Sequence, residues 1–350
     1  MGLASQRAHL GLSLLAYAGM SGPAARELRA LHGELDGWLL RVAETRGHEI
    51  AWGPISYRPW WQPSAAGLVA FVTRPRGGGE GSRHVVLRAG GPVGLWDPNL
   101  AQLGWLEQEP WVWARSPGNL APAVCGGLLE LLDIVREATA EEPVPGAGQT
   151  LAEALASELR EASRACKLRI CVVGHGLGGA LALLVALWLH DTQGDHVGRD
   201  LAWDPDSRAK LHCQAFANPA IGNADFAAYV SARLGANFEL VHNDLDCVPG
   251  LFELGDDELG EIYGPQLELP PIPATIVRSL RDLLERHGVE YEQPSARALS
   301  GALNLELPPS FFAQAEYQHL HAYAELLGLD IDLGAVLGRP AGIDGGPMAQ

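Results

Sequence analysis

The chain has 350 residues, of which 47% are hydrophobic and only 19% are charged. It is long and apolar enough to bury a large core, which excludes a disordered protein or a coiled coil. Its 42 acidic residues outnumber its 25 lysines and arginines and give a formal net charge of −17. Because no basic cluster offsets this charge, it disfavours nucleic acid and anionic membranes as partners and favours a neutral or zwitterionic small molecule.

The N-terminal region predicts two helices within residues 8–45, separated where Ser21-Gly22-Pro23 interrupts the helical period. The first has the apolar run of a signal peptide, but that run is short and Arg7 is the only basic residue before it. We therefore expect an amphipathic helix here and, by default, a cytoplasmic protein, with leaderless export as the alternative. No apolar run approaches the ~18 residues that a membrane-spanning helix needs, so no transmembrane segment is expected.

The central part of the chain alternates strand-like and helical patterns. A β-hairpin is predicted at residues 68–72 and 85–87, with a Pro-Arg-Gly-Gly-Gly turn between them. Further strands are predicted at 169–173, 212–217 and 238–242, and helices at 128–138, 151–166, 178–190 and 225–233. This alternation is typical of an α/β fold with a mainly parallel central sheet and helices on both faces.

Residues 251–316 depart from the alternation, since they hold an acidic run, a Pro-Pro-Ile-Pro break, a helix at 274–287 and a possible strand pair. We interpret this segment as an insertion or cap of helices and loops. The expected organisation is one α/β domain over residues 1–337, in which 1–64 supply N-terminal helices and an aromatic loop. The Gly- and Pro-rich residues 338–350 are expected to form a flexible tail.

The cysteines are five in number and show no Cys-x-x-Cys spacing. They are Cys125, Cys166, Cys171, Cys213 and Cys247. We expect buried free thiols in a reducing compartment. Neither a metal site nor another cofactor is expected, because no histidine and cysteine pair has the spacing of metal ligands. His175, His212 and His242 are interpreted as structural histidines.

The most specific pattern lies at residues 169–182, where an apolar strand leads into a glycine-rich turn and then a helix rich in alanine and leucine. This is how α/β-hydrolases build the nucleophile elbow, in which the serine of Gly-x-Ser-x-Gly stands on a sharp strand-to-helix turn. Here the five residues are Gly174-His175-Gly176-Leu177-Gly178. The pattern therefore predicts the scaffold of a serine hydrolase with Gly176 at the nucleophile position.

The elbow resembles that of the class 3 lipases, the fungal-type triacylglycerol lipase family, whose Gly-His-Ser-Leu-Gly-Gly-Ala-Leu-Ala it matches in every position but the serine. Four more segments are similar to family motifs and follow in the same order. They are residues 85–91 (the oxyanion loop), 124–128, 216–227 and 241–249 (the triad carboxylate). The resemblance covers most of residues 65–325 and implies the α/β-hydrolase fold.

The resemblance also implies the roles of individual residues. Asp246 takes the place of the triad carboxylate, since it alone has Val-Pro at the family's offset, and Asp244 is its rival. The base is expected at His319, four residues before a tyrosine as in the family, with His321 as the alternative.

The oxyanion hole would consist of backbone N–H groups. One donor would be Leu177, which follows the nucleophile position, and the other Gly90 or Gly91 in the oxyanion loop. The family's hydroxyl residue in that loop is missing, so the second contact would come from the backbone alone.

The implied activity is that of a lipase or esterase acting on carboxylic esters of lipids or other acyl groups through a Ser-Asp-His triad. With Gly176 in place of serine, the chain is expected to be inactive or nearly so, because loss of the nucleophile costs roughly 10⁶ in rate in a triad enzyme. Three interpretations remain open: a replaced serine that traps substrate, a natural pseudo-hydrolase that binds a lipid or a protein, and direct attack by a water that His319 and Asp246 activate.

Overall fold

The computed structural model describes residues 2–19, 27–57, 67–78, 81–91, 104–115, 118–163, 167–198 and 202–338. Within these ranges the strands are β1 (His48–Tyr57), β2 (Leu68–Pro75), β3 (Arg83–Ala89), β4 (Gln108–Pro110), β5 (Ala123–Cys125), β6 (Leu168–His175), β7 (Ala209–Phe216), β8 (Phe238–Asn243) and β9 (Ala296–Leu299). The α-helices are α1 (Leu3–Leu15), α2 (Leu28–Arg41), α3 (Gly126–Glu137), α4 (Leu151–Glu161), α5 (Leu177–Asp191), α6 (Ala224–Leu234), α7 (Asp256–Gly260), α8 (Pro271–His287), α9 (Phe311–Glu316), α10 (Ala322–Leu327) and α11 (Leu333–Val336).

The main sheet has seven strands in the order β1-β2-β3-β6-β7-β8-β9. Strands β1, β2 and β3 are antiparallel neighbours, and every pairing from β3 to β9 is parallel. Strands β4 and β5 form a separate antiparallel pair. The predicted hairpin is confirmed as β2 and β3, and the predicted mainly parallel sheet is confirmed as well.

Helices cover both faces of this sheet, as predicted. One face packs against α1, α2, α10 and α11, and the other against α3, α4, α5 and α6. Helix α5 lies so deep that His190 is its only residue that is not buried, which explains its run of alanine and leucine. Capping side chains begin two of the shallower helices: Thr150 and Glu153 form a capping box at α4, and the Asn223 side chain accepts the Phe226 N–H at α6.

Two details of the prediction were wrong. Helix α1 is not amphipathic from His9 onward, because every residue from His9 to Gly19 is buried against the sheet. Residues 251–316 are not purely a cap, because β9 pairs with β8 and completes the main sheet. The break at 21–23 between α1 and α2 and the tail at 339–350 lie outside the described residues.

Four of the five cysteines, Cys125, Cys171, Cys213 and Cys247, are buried free thiols as predicted, and Cys166 lies outside the described residues. None of the described helices combines the length and the apolar character needed to cross a bilayer.

Candidate active site

The turn between β6 and α5 has the geometry of a nucleophile elbow. Gly176 is the single residue between strand and helix, with φ 59° and ψ −129°. Its N–H donates to the Phe216 carbonyl at 2.8 Å, and its own carbonyl accepts the N–H groups of Gly179 and Ala180 at 3.0 and 3.1 Å. The turn is therefore fixed both to the neighbouring strand β7 and to the first turn of α5.

Close packing of α5 on the sheet explains the glycines on either side. A Cβ on Gly178 would lie 2.5 Å from the Leu87 carbonyl oxygen at the end of β3. A Cβ on Gly174 would collide with the Gly178 carbonyl group. The helix can cross the strand ends at this distance only without side chains at these two positions, so the glycine pattern is a packing requirement of the elbow.

Asp246 and His319 form a buried, hydrogen-bonded pair, and each side chain is about 3% exposed or less. His319 Nδ1 lies 2.9 Å from Asp246 Oδ2 and 3.1 Å from Oδ1. The Tyr323 hydroxyl donates to Oδ2 at 2.9 Å, and the Val248 N–H donates to Oδ1 at 3.0 Å. Because an ionised carboxylate only accepts hydrogen bonds, Nδ1 carries the ring proton and the lone pair of the neutral ring lies on Nε2.

Nε2 of His319 is directed at residue 176. A Cβ built on Gly176 would stand 3.1 Å from Nε2 and 3.5 Å from the Tyr17 hydroxyl. A side-chain hydroxyl one bond further out would fall within hydrogen-bond reach of Nε2. The arrangement thus has the carboxylate, the oriented imidazole and the strand-to-helix turn of a triad, and it lacks only the hydroxyl.

The backbone of His319 is hydrogen-bonded to His175, the residue before Gly176. His319 lies in a π-helical turn, Tyr317–His321, a rare local structure that recurs at functional sites. Its carbonyl accepts from Nε2 of His175 at 2.7 Å, and the Tyr17 hydroxyl lies 3.2 Å from His175 Nδ1. Burial, and secondarily the nearby His319, lowers the pKa of His175 well below its usual value, so this ring stays neutral.

The two rival residues lie elsewhere. Asp244 is exposed, and its carboxylate accepts the Gly301 N–H at 2.7 Å. The His321 ring is only partly buried and stacks on Tyr317 with 6.2 Å between ring centroids. The structure brings Gly176, Asp246 and His319 together and places neither alternative with them.

The expected oxyanion donors differ in their surroundings. Leu177 is the first residue of α5, where an N–H has no partner within the helix, and the N-terminus adds a partial positive charge. The Gly90 N–H instead donates to the Gly67 carbonyl at 2.7 Å, so it could reach an oxyanion only if that bond opened. Gly91 follows it at the edge of the described segment.

Sequence reasoning missed the contribution of α1 to this site. Tyr17 lies 158 residues before His175, and no sequence pattern connects the two. Tyr323 entered the prediction only as a spacing marker, although its hydroxyl contacts Asp246 directly and also accepts the Asn243 N–H at 2.9 Å.

Comparison with known structures agrees with this architecture. The chain is similar to M37 lipase, with a TM-score of 0.81 and 24% identity over 94% of this chain and 96% of that one. Lipase II from Rhizopus niveus aligns with a TM-score of 0.45 and 15% identity over 71% and 74% of the two chains. A Rhizomucor miehei lipase in a propeptide complex aligns with a TM-score of 0.44 and 20% identity over 71% and 62%. A comparison with curated proteins gave no significant match.

The sheet, the helices on its two faces and the elbow between β6 and α5 define an α/β-hydrolase fold. The sequence model described as lipase (class 3) matches residues 108–255, a range that includes Gly176 and Asp246 and ends before His319. Over that range, which is less than half of the chain, the sequence is similar to the class 3 lipases.

Proposed function

We propose that this protein is a lipase-like ester hydrolase whose site binds carboxylic esters of lipids or other acyl groups and, with Gly176 in place, turns them over at no more than a trace rate. The observation that carries the proposal is the 3.1 Å between His319 Nε2 and the Cβ position of residue 176. A purely structural pair of Asp246 and His319 would not require the second ring nitrogen, Nε2, to face the elbow. The match to the lipase (class 3) sequence model and the fold support the same class of reaction.

The expected chemistry with a serine at 176 follows from the contacts. His319 would accept the serine proton at Nε2 while Asp246, which Tyr323 holds in place, orients the ring, and the Leu177 N–H would stabilise the oxyanion. Glycine adopts the elbow conformation without strain but supplies no nucleophile. The chain as it stands can therefore bind and polarise an ester without forming an acyl-enzyme.

The test is to install the hydroxyl. Gly176→Ser is expected to react with a fluorophosphonate probe and to hydrolyse a short-chain p-nitrophenyl ester, whereas the unaltered chain does neither above background. Gly176→Ala is the matched control, because it adds the same Cβ at the same φ without a hydroxyl. Gly176→Ser combined with His319→Ala should lose both labelling and turnover.

A folded Gly176→Ser protein that is neither labelled nor active would refute the proposal, as would equal activity in Gly176→Ala. Turnover by the unaltered chain that His319→Ala abolishes would instead support direct attack by an activated water.

A natural binding module is the second candidate, and the observation that favours it is Gly176 itself, the residue that removes the chemistry and keeps the fold. Native mass spectrometry of the unaltered chain with neutral acylglycerols and phosphatidylcholine distinguishes the cases. Bound acyl ligand together with an inactive Gly176→Ser variant would support a binding module. Bound ligand with an active variant would support a hydrolase that lost its serine.

A further inference from the structure

A second cluster of reactive side chains lies under α1, at the other end of the sheet from Gly176. His84 on β3 and Cys171 on β6 are direct cross-strand neighbours, and Cys171 is in turn the neighbour of His212 on β7. These three side chains line a cavity of about 280 Å³, and His9 of α1 lines it as well. Residues at one register on one face of a sheet stand side by side, so the fold presents a row of imidazole and thiol groups to the helix.

Three of these groups have the geometry of a metal site. One ligand atom each of His9, His84 and Cys171 lies within 4.8 Å of the others, and all three residues are buried. Tetrahedral zinc with bonds of about 2.0–2.3 Å holds its ligands about 3.3–3.8 Å apart. The separations in this cluster are at most 4.8 Å, so binding requires the three ligand atoms to move closer by no more than about 1.5 Å.

The outer hydrogen bonds fit metal ligation. His9 Nδ1 lies 2.6 Å from Gln214 Oε1, and Gln214 Nε2 donates to Glu239 at 3.2 Å. The Thr73 hydroxyl lies 3.4 Å from His84 Nδ1. Metal-binding histidines almost always fix one ring nitrogen in this way. Here Nδ1 of both rings has such a partner, which leaves Nε2 of each ring as the ligand atom.

Burial sets the protonation states of the three groups. Burial, the largest cause, lowers the pKa of His9 to about 4 and that of His84 well below its usual value, so both rings are neutral and carry lone pairs. Burial also raises the pKa of the Cys171 thiol to about 11. A metal ion would displace that thiol proton on binding, as it does at other cysteine sites.

We propose that His9, His84 and Cys171 bind a divalent metal ion of the zinc class, with the fourth coordination position open to the cavity beside His212. Imidazole and thiolate are the ligands that zinc and cobalt prefer, and a His₂Cys set leaves one position of a tetrahedron. His212 Nε2 is buried and has no hydrogen-bond partner among the described residues, but it lies outside the group whose ligand atoms are within 4.8 Å, so it would have to move closer to take that position. The proposal does not depend on the ester-hydrolase function.

Such a site would tie α1 to the sheet. His9 lies on the same helical segment that ends near Tyr17, whose hydroxyl lies 3.5 Å from the Cβ position of residue 176. Metal binding is therefore expected to stabilise the whole chain and, through α1, to fix the position of Tyr17 beside residue 176. The three ligands come from a helix and two strands that are distant in sequence, so no ligand spacing in the sequence indicated the site. The proposed site replaces the expectation that the chain binds no metal.

The test uses the full chain without a polyhistidine tag, stripped with a chelator and titrated with Co²⁺ alone. The expected result is one tightly bound cobalt per chain with a thiolate-to-cobalt charge-transfer band, displaced by Zn²⁺, and a Zn²⁺-dependent rise in melting temperature. Cys171→Ser should abolish the band, and His9→Gln should weaken binding by at least about tenfold. Cys213→Ser is the matched control, since Cys213 is a buried thiol on the adjacent strand that packs into the core on the opposite face.

The proposal is overturned if the folded wild-type chain shows no thiolate band, or if the band survives in Cys171→Ser or is lost in Cys213→Ser. If Cys171→Ser does not fold, alkylation of the wild-type chain decides the matter. Zn²⁺ should then protect Cys171 from the reagent under mildly denaturing conditions and leave Cys213 unprotected, and equal labelling of the two with and without Zn²⁺ contradicts the site.

Discussion

The free energy of unfolding of two variants at position 176 can report whether a hydroxyl there reaches His319. Gly176→Ala places a Cβ on a residue with φ 59°, a region that costs a non-glycine residue about 1–3 kcal/mol. The Cβ also comes within 3.1 Å of His319 Nε2, so the ring has to shift slightly. The reduced flexibility of the unfolded chain returns about 0.4–1 kcal/mol. We expect a net loss of about 1–2 kcal/mol.

Gly176→Ser carries the same backbone strain but adds a hydrogen bond. A buried hydroxyl-to-imidazole bond contributes about 0.5–1.5 kcal/mol, so Gly176→Ser should be more stable than Gly176→Ala by about 1 kcal/mol. Both variants should remain less stable than the unaltered chain, because glycine alone adopts this conformation freely.

Urea denaturation at pH 8, followed by circular dichroism, measures both differences, and a His319→Ala background completes a double-mutant cycle. In that background, alanine at position 319 has no nitrogen to accept a hydrogen bond from the serine hydroxyl. The difference in the free energy of unfolding between Gly176→Ser and Gly176→Ala should therefore vanish. Equal stability of the two variants in the presence of His319 would refute the geometry. So would a gap that persists after His319→Ala.

Two further predictions concern the groups around the pair. Tyr323→Phe should lower the free energy of unfolding by about 1–3 kcal/mol, because it leaves the buried Asn243 N–H without its acceptor and removes one of the two donors to Asp246 Oδ2. A loss below about 0.5 kcal/mol in urea melts would contradict this. The pKa of His175 is lowered from 6.5 in the native chain. As pH falls through 6.5, the unfolded chain takes up a proton at this residue and the native chain does not, so the free energy of unfolding decreases below that pH. His175→Gln should remove up to about 1.4 kcal/mol per pH unit of this slope in urea melts at pH 7, 6 and 5 with chelator present, and an unchanged slope would contradict it.

The elements that sequence predicted well are those whose signals are local. The strand, turn and helix around Gly176 form one continuous segment, and its glycines are required by contacts within that segment and with the end of β3. The β2–β3 hairpin and the helices with capping residues are local in the same sense. Such patterns fix where an element begins and ends because the interactions that decide it involve neighbouring residues.

Contacts between distant segments could not be predicted in this way. Helix α1 was expected to have a polar face, but it inserts between the sheet and α10, where Tyr17 meets His175 and His9 meets Gln214. Residues 251–316 were interpreted as an insertion or cap with a possible strand pair, and only the pairing of β9 with β8 places part of this segment in the main sheet. The β9 sequence, Ala-Arg-Ala-Leu, carries little β-propensity of its own.

Burial of α1 links the two sites that the fold creates. A helix enclosed on all sides must satisfy each polar side chain it carries, since an unpaired buried group costs about 1–3 kcal/mol. His9 of α1 and Tyr17, which lies in the turn just after the helix ends at Leu15, are such groups, and each meets its partner at a different end of the same sheet face. A shift of α1 along its axis would break both sets of contacts together. An ion bound at His9 would oppose that shift, so metal occupancy and the position of Tyr17 beside residue 176 are expected to change together.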